Sequence, residues 1–303
     1  MEFEAKYEVW VKYINDALSG IITENETPAK SIYSAMRYSL MAGGKRIRPV
    51  LSLAVCEMLG GKIEDILPYA CAIEMIHTYS LIHDDLPAMD NDDFRRGKPT
   101  NHKVYGEARA ILAGDGLLTY AFELMTGSML DALNNGTADI DSLKRRIQAV
   151  YYIARAAGVS GMIGGQVVDI ESVDMIIEPE VHEFMNRCKT GALIKAAIMV
   201  PVIITGQDKD VMDCLEKYSD SIGLAFQVKD DILDSEGSME LLGKRTGRDV
   251  QEKRSTSVTL HGLDEAKNKL DCLIREGIAG LERFGEKADF LRCLALYIKD
   301  REK

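Results

Sequence analysis

Apolar residues recur along most of the chain at steps of three and four, the spacing of one face of an α-helix. The segment CAIEMIHTYSLIH shows this pattern with Ala72, Met75 and Tyr79, and SIGLAFQVKDDIL shows it with Ala225 and Val228. Strict alternation over the length of a β-strand is scarce. The pattern predicts an all-α protein with roughly ten or more helices of ordinary length.

Turn signals divide the chain into helix-length pieces, but nothing divides it into domains. Only seven prolines occur in 303 residues, and none follows Val202. Turn pairs such as Asn135-Gly136 fall between periodic segments, and no Ser- or Pro-rich linker or fixed-period repeat is present. We therefore predict one catalytic domain that spans residues 1–303.

Charge and composition exclude several classes of protein. The chain has 37 Lys and Arg against 48 Asp and Glu, a formal charge of −11, which is a poor match to nucleic acid. Its most apolar stretch, 192–204, carries Lys195 and Pro201 and is shorter than the ~20 apolar residues of a spanning helix, so we expect a core helix and no membrane span. Six scattered cysteines without a C-x-x-C pair, and an N-terminus without a secretion signal, predict a cytoplasmic protein.

Two clusters of carboxylates stand out in this background. HDDLPAMDNDDF places five aspartates within ten residues, and QVKDDILD adds three more, of which Asp230 and Asp234 are four apart on one helix face with Gln227. A single acidic run is usually a solvated turn. Two clusters in one chain favour a multi-metal site instead, because like charges held close need a cation and Mg²⁺ prefers carboxylate oxygens.

The first cluster needs a break in its helix to work in this way. Asp84 and Asp90 are six residues apart and would point about 120° away from each other on a regular helix. Pro87 lacks an amide hydrogen, so we expect a local bulge there that brings Asp90 round to Asp84. His77 lies two turns before Asp84 on the same face, where a structural and a functional role are equally supported.

Basic residues gather beside glycines, which suits phosphate oxygens. The groups are Gly43-Gly44-Lys45-Arg46-Ile47-Arg48, Arg95-Arg96-Gly97-Lys98, Lys189-Thr190-Gly191 and Gly243-Lys244-Arg245. Each alone is more typical of a solvated helix end. No Walker A or G-x-G-x-x-G motif is present, so a nucleotide cradle is unsupported. Combined with the Asp clusters, these groups predict a diphosphate ligand bridged by magnesium.

The order of these motifs resembles that of the trans-isoprenyl diphosphate synthases, also called polyprenyl synthetases, and in particular their bacterial members that make farnesyl diphosphate. The resemblance covers essentially the whole chain. It implies an all-α bundle of helices around a deep central cavity, usually in a homodimer. The matching blocks are GGKRIRP (43–49), DDLPAMD (84–90), RRGKPT (95–100), AILAGDGLL (110–118), GGQVVDI (164–170), KTGALI (189–194), FQVKDDILD (226–234) and LGKRTGRD (242–249).

The resemblance also implies a reaction. Three Mg²⁺ ions, or Mn²⁺ in their place, bind the diphosphate of dimethylallyl or geranyl diphosphate and draw it off. Isopentenyl diphosphate attacks the allylic cation in a head-to-tail 1'-4 condensation, and the released diphosphate takes the proton, giving farnesyl diphosphate. Such metal-assisted neutralisation of charge is what clustered carboxylates and basic side chains can supply.

Roles follow residue by residue from the same resemblance. The isopentenyl diphosphate would be bound by Lys45, Arg48, His77 and Arg96. The allylic diphosphate would be bound by Arg95, Lys189 and Lys244. Arg254, which replaces the family's usual lysine, would also bind substrate. The metal ligands would be Asp84, Asp90 and Asp230, supported by Asp85, Asp231 and Asp234. Oxygens of Thr190 and Gln227 would lie near the developing cation.

Product length in this family depends on the residues just before the first Asp motif. Tyr79 and Ser80 stand five and four positions before Asp84, and an aromatic residue there resembles the type that makes C15 products. A small residue would indicate a longer product. Ser257 departs from the usual tyrosine after the second motif. The basic tail, 299–303, either resembles the family's C-terminal closing arm or is a frayed terminus.

Four alternatives stay open at this point. A geranylgeranyl diphosphate synthase of the same family would carry the same motifs. A helical metal-dependent phosphohydrolase would need more paired histidines than His77 and His83 provide. A terpene cyclase would lack the second Asp motif, and a non-catalytic partner subunit would have lost one or both Asp motifs.

Overall fold

In a computed structural model, residues 3–23, 27–175, 177–236 and 255–302 are described. Within these ranges the all-α prediction is confirmed, with one addition, a two-stranded antiparallel hairpin of β1 (Phe94–Arg95) and β2 (Lys98–Pro99). A π-helical segment, Arg187–Gly191, and a 3₁₀ segment, Glu282–Ala288, are also present. The α-helices are α1 (Phe3–Ile21), α2 (Lys30–Leu40), α3 (Ile47–Met58), α4 (Ile63–Asp84), α5 (Asn101–Tyr105), α6 (Glu107–Asn134), α7 (Ile140–Ala157), α8 (Met162–Glu171), α9 (Pro179–Asn186), α10 (Ala192–Thr205), α11 (Lys209–Glu236), α12 (Ser257–His261), α13 (Leu263–Ala279) and α14 (Asp289–Asp300).

The centre of the core is formed by α3, α4 and α10, which are apolar around most of their circumference. Helix α10 packs against α3, α4, α7 and α11, and α4 also packs along α6. Residues 193–202 are all buried except Lys195, as predicted for a core helix. A helix that is apolar on all sides belongs in such a position, where every face meets another helix.

One helical run passes a test for membrane spans. Pro179–Thr205, which joins α9, the π-helical segment and α10, is long and apolar enough by length and composition, and half of its most apolar window is buried. A buried core helix passes the same test. The packing of α10 on four neighbouring helices accounts for its hydrophobicity.

Glycines allow two close approaches of backbone beside the π-helical segment. A Cβ atom on Gly165 of α8 would lie 2.2 Å from the backbone nitrogen of Lys189, and one on Gly223 of α11 would lie 3.1 Å from the Cα atom of Gly191. Any larger side chain would force these elements apart. The two glycines therefore fix where Lys189 stands between α8 and α11.

An aromatic cluster joins the first helix to the last one. The ring centroids of Trp10 and Phe290 are 4.6 Å apart, and those of Tyr7 and Tyr297 are 5.3 Å apart. Phe3 contacts Tyr7, Phe290 and Tyr297. Tilted aromatic pairs at these distances add to the free energy gained by burial, so α1 and α14 are held together.

Candidate active site

A cavity of about 720 Å³ opens between α3, α4, α8, the π-helical segment and α11. This volume lies within the range of about 300–1,000 Å³ that is common for ligand cavities. One wall carries carboxylates, another carries basic side chains, and α8 supplies apolar residues. Its lining residues are Arg48, His77, Tyr79, Ser80, Leu81, His83, Asp84, Met89, Asp90, Asp92, Arg95, Arg96, Met162, Ile163, Gln166, Val167, Ile170, Lys189, Thr190, Phe226, Gln227, Asp230, Asp231, Asp234 and Arg301.

The first carboxylate cluster is shaped by the end of α4. The helix ends at Asp84, before Pro87, and the chain then turns so that the amide of Asp90 donates to the carbonyl of Asp84 over 2.7 Å. Asn91 completes the turn with a positive φ of 51°. The expected bulge is thus replaced by a helix end and a turn, which bring Asp84 and Asp90 to the same cavity wall.

Burial raises the pKa of two carboxyl groups in this cluster. The pKa of Asp84 rises to about 6, an effect that Lys189 opposes and Asp90 increases. The pKa of Asp85 also rises to about 6 through burial, against the attraction of Arg95. Burial disfavours the ionised form of a carboxyl group, and a nearby cation favours it. A cation bound beside this cluster would therefore stabilise its ionised carboxylates.

Asp85 holds a basic side chain instead of facing the cavity. It is 3% exposed, and its Oδ1 accepts from Nε of Arg95 at 2.7 Å and lies 2.6 Å from Nη2. This fork-like contact fixes the guanidinium plane. Asp85 therefore acts on the site through Arg95, in line with the supporting role that the resemblance implies for it.

The second cluster sits on a regular helix, α11. Asp230, Asp231 and Asp234 all line the cavity. Asp231 is 5% exposed and accepts from Nε2 of Gln227 at 2.8 Å and from the amide of Ser257 at 2.7 Å. Both oxygens of Asp231 are thus occupied within the protein.

Basic side chains face the carboxylates across the cavity. Arg48, Arg96 and His77 line this side. Burial, together with the neighbouring arginines, lowers the pKa of His77 well below its ordinary value, so the imidazole is neutral at pH 7. Nε of Arg48 is buried without a hydrogen-bond partner in the described part of the chain, which suits an anionic ligand because a buried donor left unpaired is costly.

The π-helical segment presents Lys189 and Thr190 to the cavity. Nζ of Lys189 donates to Oδ2 of Asp169 on α8 at 2.5 Å, and the Thr190 hydroxyl donates to Oε1 of Gln227 on α11 at 2.6 Å. A π-helical turn shifts the register of side chains along a helix and often marks a functional site. Here it places a cation and a hydroxyl beside each other at the centre of the cavity wall.

Two described residues that the resemblance implicates, Asp85 and Lys45, do not line the cavity. Lys45 lies in the loop before α3 and lines a separate groove with Tyr7 and Asn15. Lys244 and Arg254 lie outside the described residues. Every other residue of the implied substrate site lines the cavity.

Sequence reasoning left one contributor to the site undecided and missed another. Arg301 of the basic tail is 8% exposed, donates to Oδ1 of Asp230 at 2.7 Å and lies over the ring of Phe226, 4.0 Å from its centroid. A frayed terminus is therefore the wrong interpretation of this residue. On α8, Ile163, Val167 and Ile170 line the cavity, and their three- and four-residue steps were the available signal.

The donor set fits magnesium bound jointly with a diphosphate. Among the described residues, no three His, Cys, Asp or Glu side chains converge closely enough to hold a metal ion by themselves. Mg²⁺ usually keeps several waters and takes one or two carboxylates plus substrate phosphates. Carboxylates of two clusters in a cavity that is also lined with Arg and Lys match that arrangement.

Comparison with known proteins assigns the chain to a family. The family model described as polyprenyl synthetase matches residues 29–295. Farnesyl diphosphate synthase of Bacillus subtilis (strain 168) is 46% identical over 265 residues, 88% of this chain and 86% of the relative. The chloroplastic heterodimeric geranylgeranyl pyrophosphate synthase large subunit 1 of Arabidopsis thaliana is 45% identical over 293 residues, 95% of this chain and 76% of the relative.

Solved structures show the same fold. An FPP/GFPP synthase from Zymomonas mobilis superposes with a TM-score of 0.85 at 35% identity, covering 98% of each chain. A geranyltransferase from Legionella pneumophila gives a TM-score of 0.86 at 30% identity, covering 99% of this chain and 97% of the other. The relatives therefore share the helical architecture, while their names differ in the product they specify.

Proposed function

The chain belongs to the polyprenyl synthetase family and is a prenyltransferase, and from this premise we propose that it is a farnesyl diphosphate synthase. The proposed reaction condenses isopentenyl diphosphate with dimethylallyl diphosphate and then with geranyl diphosphate. The product is (2E,6E)-farnesyl diphosphate. The observation that carries the proposal is the aromatic ring of Tyr79 in the cavity wall.

The two carboxylate clusters would hold the metal ions. Asp84, Asp90, Asp230 and Asp234 are the proposed ligands of three Mg²⁺ ions, which neutralise the charge of the leaving diphosphate when bound. Mn²⁺ is the alternative ion. Asp85 and Asp231 support them by holding Arg95 and Gln227, respectively.

The basic residues divide between the two substrates. Lys189 and Arg95, beside the carboxylates, bind the allylic diphosphate, as does Lys244 by resemblance. Arg48, Arg96 and the neutral His77 bind isopentenyl diphosphate, together with Lys45 of the adjacent loop. Catalysis of the proposed condensation requires that the double bond of one substrate lie next to the breaking carbon–oxygen bond of the other.

Polar oxygens next to the reacting carbons stabilise the allylic cation. Thr190 donates its only hydroxyl hydrogen to Gln227, so the lone pairs of Thr190 are available to positive charge. No protein base is needed, because the departing diphosphate accepts the proton. The apolar residues of α8 keep water away from the cation.

Tyr79 sets the length of the product in this proposal. Its side chain is 7% exposed, lies one helical turn before His83 and packs edge-on against that imidazole at 5.6 Å between centroids. With Ser80 it blocks the path of a growing isoprenoid tail along α4. A geranylgeranyl diphosphate synthase is the second candidate, because relatives with that name match over 95% of the chain.

Product analysis tests the proposal. Purified protein is incubated with Mg²⁺, isopentenyl diphosphate and either dimethylallyl or geranyl diphosphate, and the dephosphorylated alcohols are separated by chromatography. We expect a C15 alcohol. A C20 alcohol would contradict the role of Tyr79, and release of phosphate without any elongated alcohol would instead support a phosphohydrolase.

A pair of variants sharpens this test. Tyr79→Ala opens the path along α4, so we expect a shift from C15 to C20 alcohol. Tyr13→Ala removes an exposed tyrosine on α1 and should leave the C15 product unchanged. If Tyr79→Ala still stopped at C15, another part of the wall would set the length.

We also propose a cytoplasmic homodimer that needs neither nucleic acid nor a membrane. Ile111 and Leu112 on α6 and Ile147 and Tyr151 on α7 are large, apolar and exposed, as expected of a surface that a second copy covers. All six cysteines are free thiols, which is consistent with a reducing compartment. Sedimentation of wild type and of Leu112→Glu tests the dimer, and the variant should sediment as a monomer.

A further inference from the structure

The loop between α2 and α3 has an unusual backbone. Gly43 and Gly44 have φ angles of 95° and 122°, and Arg46 is left-handed at 53°. The left-handed conformation is strained for a residue other than glycine. Such a conformation persists only where the surroundings hold it in place.

Helix α1 holds this loop at two points. The hydroxyl of Tyr7 donates to the backbone carbonyl of Lys45, and Oδ1 of Asn15 accepts from Nε of Arg46 at 2.9 Å. The rest of the buried Arg46 guanidinium donates to Oε1 of Glu74 through Nη1 and to the carbonyl of Leu40 through Nη2. Tyr7 is itself 9% exposed and fixed by Tyr297, so its hydroxyl has a defined position.

The same loop positions a cavity cation. The carbonyl of Gly43 accepts a hydrogen bond from Nη1 of Arg96, and a Cβ atom on Gly44 would lie 2.6 Å from Cζ of Arg96. Arg96 lines the cavity, and so does Arg48, two residues after Arg46. Displacement of the loop would therefore move both arginines of the proposed isopentenyl diphosphate site.

We propose that Tyr7 is a positioning residue for the isopentenyl diphosphate half of the active site. It lies outside the cavity wall and acts through the carbonyl of Lys45 on the loop, and through the loop on Arg96 and Arg48. In the allylic half of the site, Lys189 and Arg95 are held by Asp169 and Asp85 instead. This inference rests on the proposed function.

Removal of one hydroxyl group tests the proposal. Tyr7→Phe keeps the aromatic packing and loses the hydrogen bond to Lys45. Tyr297→Phe is the matched control, because it removes a hydroxyl from the same cluster without affecting the loop. Isothermal titration with isopentenyl diphosphate and steady-state kinetics are measured for both variants and for the wild type.

We expect Tyr7→Phe to weaken binding of isopentenyl diphosphate and to raise its KM by about three- to tenfold, the range of one net hydrogen bond. The KM for geranyl diphosphate should change less than twofold, and Tyr297→Phe should match the wild type. Equal changes for both substrates, or no change for either, would overturn the proposal. A change of the same size in Tyr297→Phe would also overturn it, since the loop would not be the cause.

Hydrogen exchange separates this proposal from the proposed function. In Tyr7→Phe the peptide that contains residues 43–46 should exchange faster than in the wild type, with no change in α11. If the wild type forms no elongated product, the proposed function fails, and faster exchange still supports positioning of the loop by Tyr7. Unchanged exchange at 43–46 would overturn the positioning role, whatever the activity.

Discussion

The two carboxylate clusters face the same cavity but are built in different ways. Asp84 and Asp90 meet because α4 ends and the chain turns back on itself, whereas Asp230 and Asp234 share one face of an uninterrupted helix. The first arrangement depends on backbone conformation at a few residues. The second depends on helix periodicity alone, which tolerates many changes of neighbouring side chains.

The partners of the two clusters differ as well. The first cluster contacts Arg95 of the β-hairpin, and the second contacts Arg301 of the segment after α14 and the amide of Ser257. Each cluster is thus tied to a different part of the chain. The first cluster is held by an element close to it in sequence, and the second is contacted by elements more distant in sequence.

The largest expected effect is the same for both clusters. Asp84→Ala and Asp230→Ala should each lower kcat by about 10²–10³-fold. Each substitution removes a carboxylate that would hold a metal ion, and the metal ions would neutralise the charge of the diphosphate. Incorporation of labelled isopentenyl diphosphate into acid-labile product measures the loss. Circular dichroism should show unchanged helix content, and substantial activity of the double variant would refute the metal assignment.

A smaller effect should distinguish the first cluster by pH. The pKa of Asp84 in the folded protein, about 6, lies above the 3.8 of an unperturbed aspartate, so its protonated form stabilises the fold at low pH and this contribution is lost as pH rises through 6. In metal-free protein, the free energy of unfolding should fall by about 1–2 kcal/mol more between pH 5 and 7.5 in wild type than in Asp84→Asn. Urea unfolding in EDTA measures this difference. Parallel pH profiles would contradict the burial argument.

The turn of the first cluster should be sensitive to backbone changes. Asn91 has a positive φ, and Val in its place should lower the free energy of unfolding by about 1 kcal/mol, because a β-branched residue resists that conformation. Asn91→Gly, which accepts a positive φ, is the control and should retain both stability and activity. Thermal unfolding and product assays report the two effects, and equal tolerance of Val and Gly would show that the turn does not constrain the cluster.

The smallest expected effect concerns the partner of the second cluster. Arg301→Lys keeps the charge near Asp230 but loses the stacking on Phe226, so the free energy of unfolding should fall by about 0.5–1 kcal/mol. Lys299→Ala, which breaks an exposed pair with Asp271, should change it by less. Denaturant titration compares the two variants. If Lys299→Ala were the more costly change, burial of Arg301 would not be the source of its contribution.

The same contrast shows what sequence could predict. Periodicity identified the face of α11 that carries Asp230 and Asp234, because a regular helix converts spacing directly into direction. For the first cluster, the sequence predicted a bulge at Pro87 where the structure has a helix end and a turn. That end of α4 and the return of Asp90 depend on hydrogen bonds of the following turn, which periodicity does not describe. The β-hairpin was missed because its strands have two residues each, joined at Arg96 and Gly97 with positive φ angles.

The positions of two other residues could not be predicted from spacing in the sequence. Lys45 belongs to the motif GGKRIRP, but in the structure it lines a groove beside α1. The conformation of the loop determines this position, and residue spacing does not predict it. Arg301 reaches Asp230 through the packing of α14 against the remainder of the bundle. Tertiary contacts of this kind join residues far apart in sequence and leave no local signal.

The aromatic cluster between α1 and α14 also bears on how the protein folds. Phe3 and Phe290 are separated by nearly the whole described sequence, and contacts of such long range form late, because a large loop must close before they are gained. The loop held by Tyr7 and the segment that carries Arg301 both depend on this contact. The cavity should therefore take its final shape in the last kinetic phase of folding, after the helices themselves have formed.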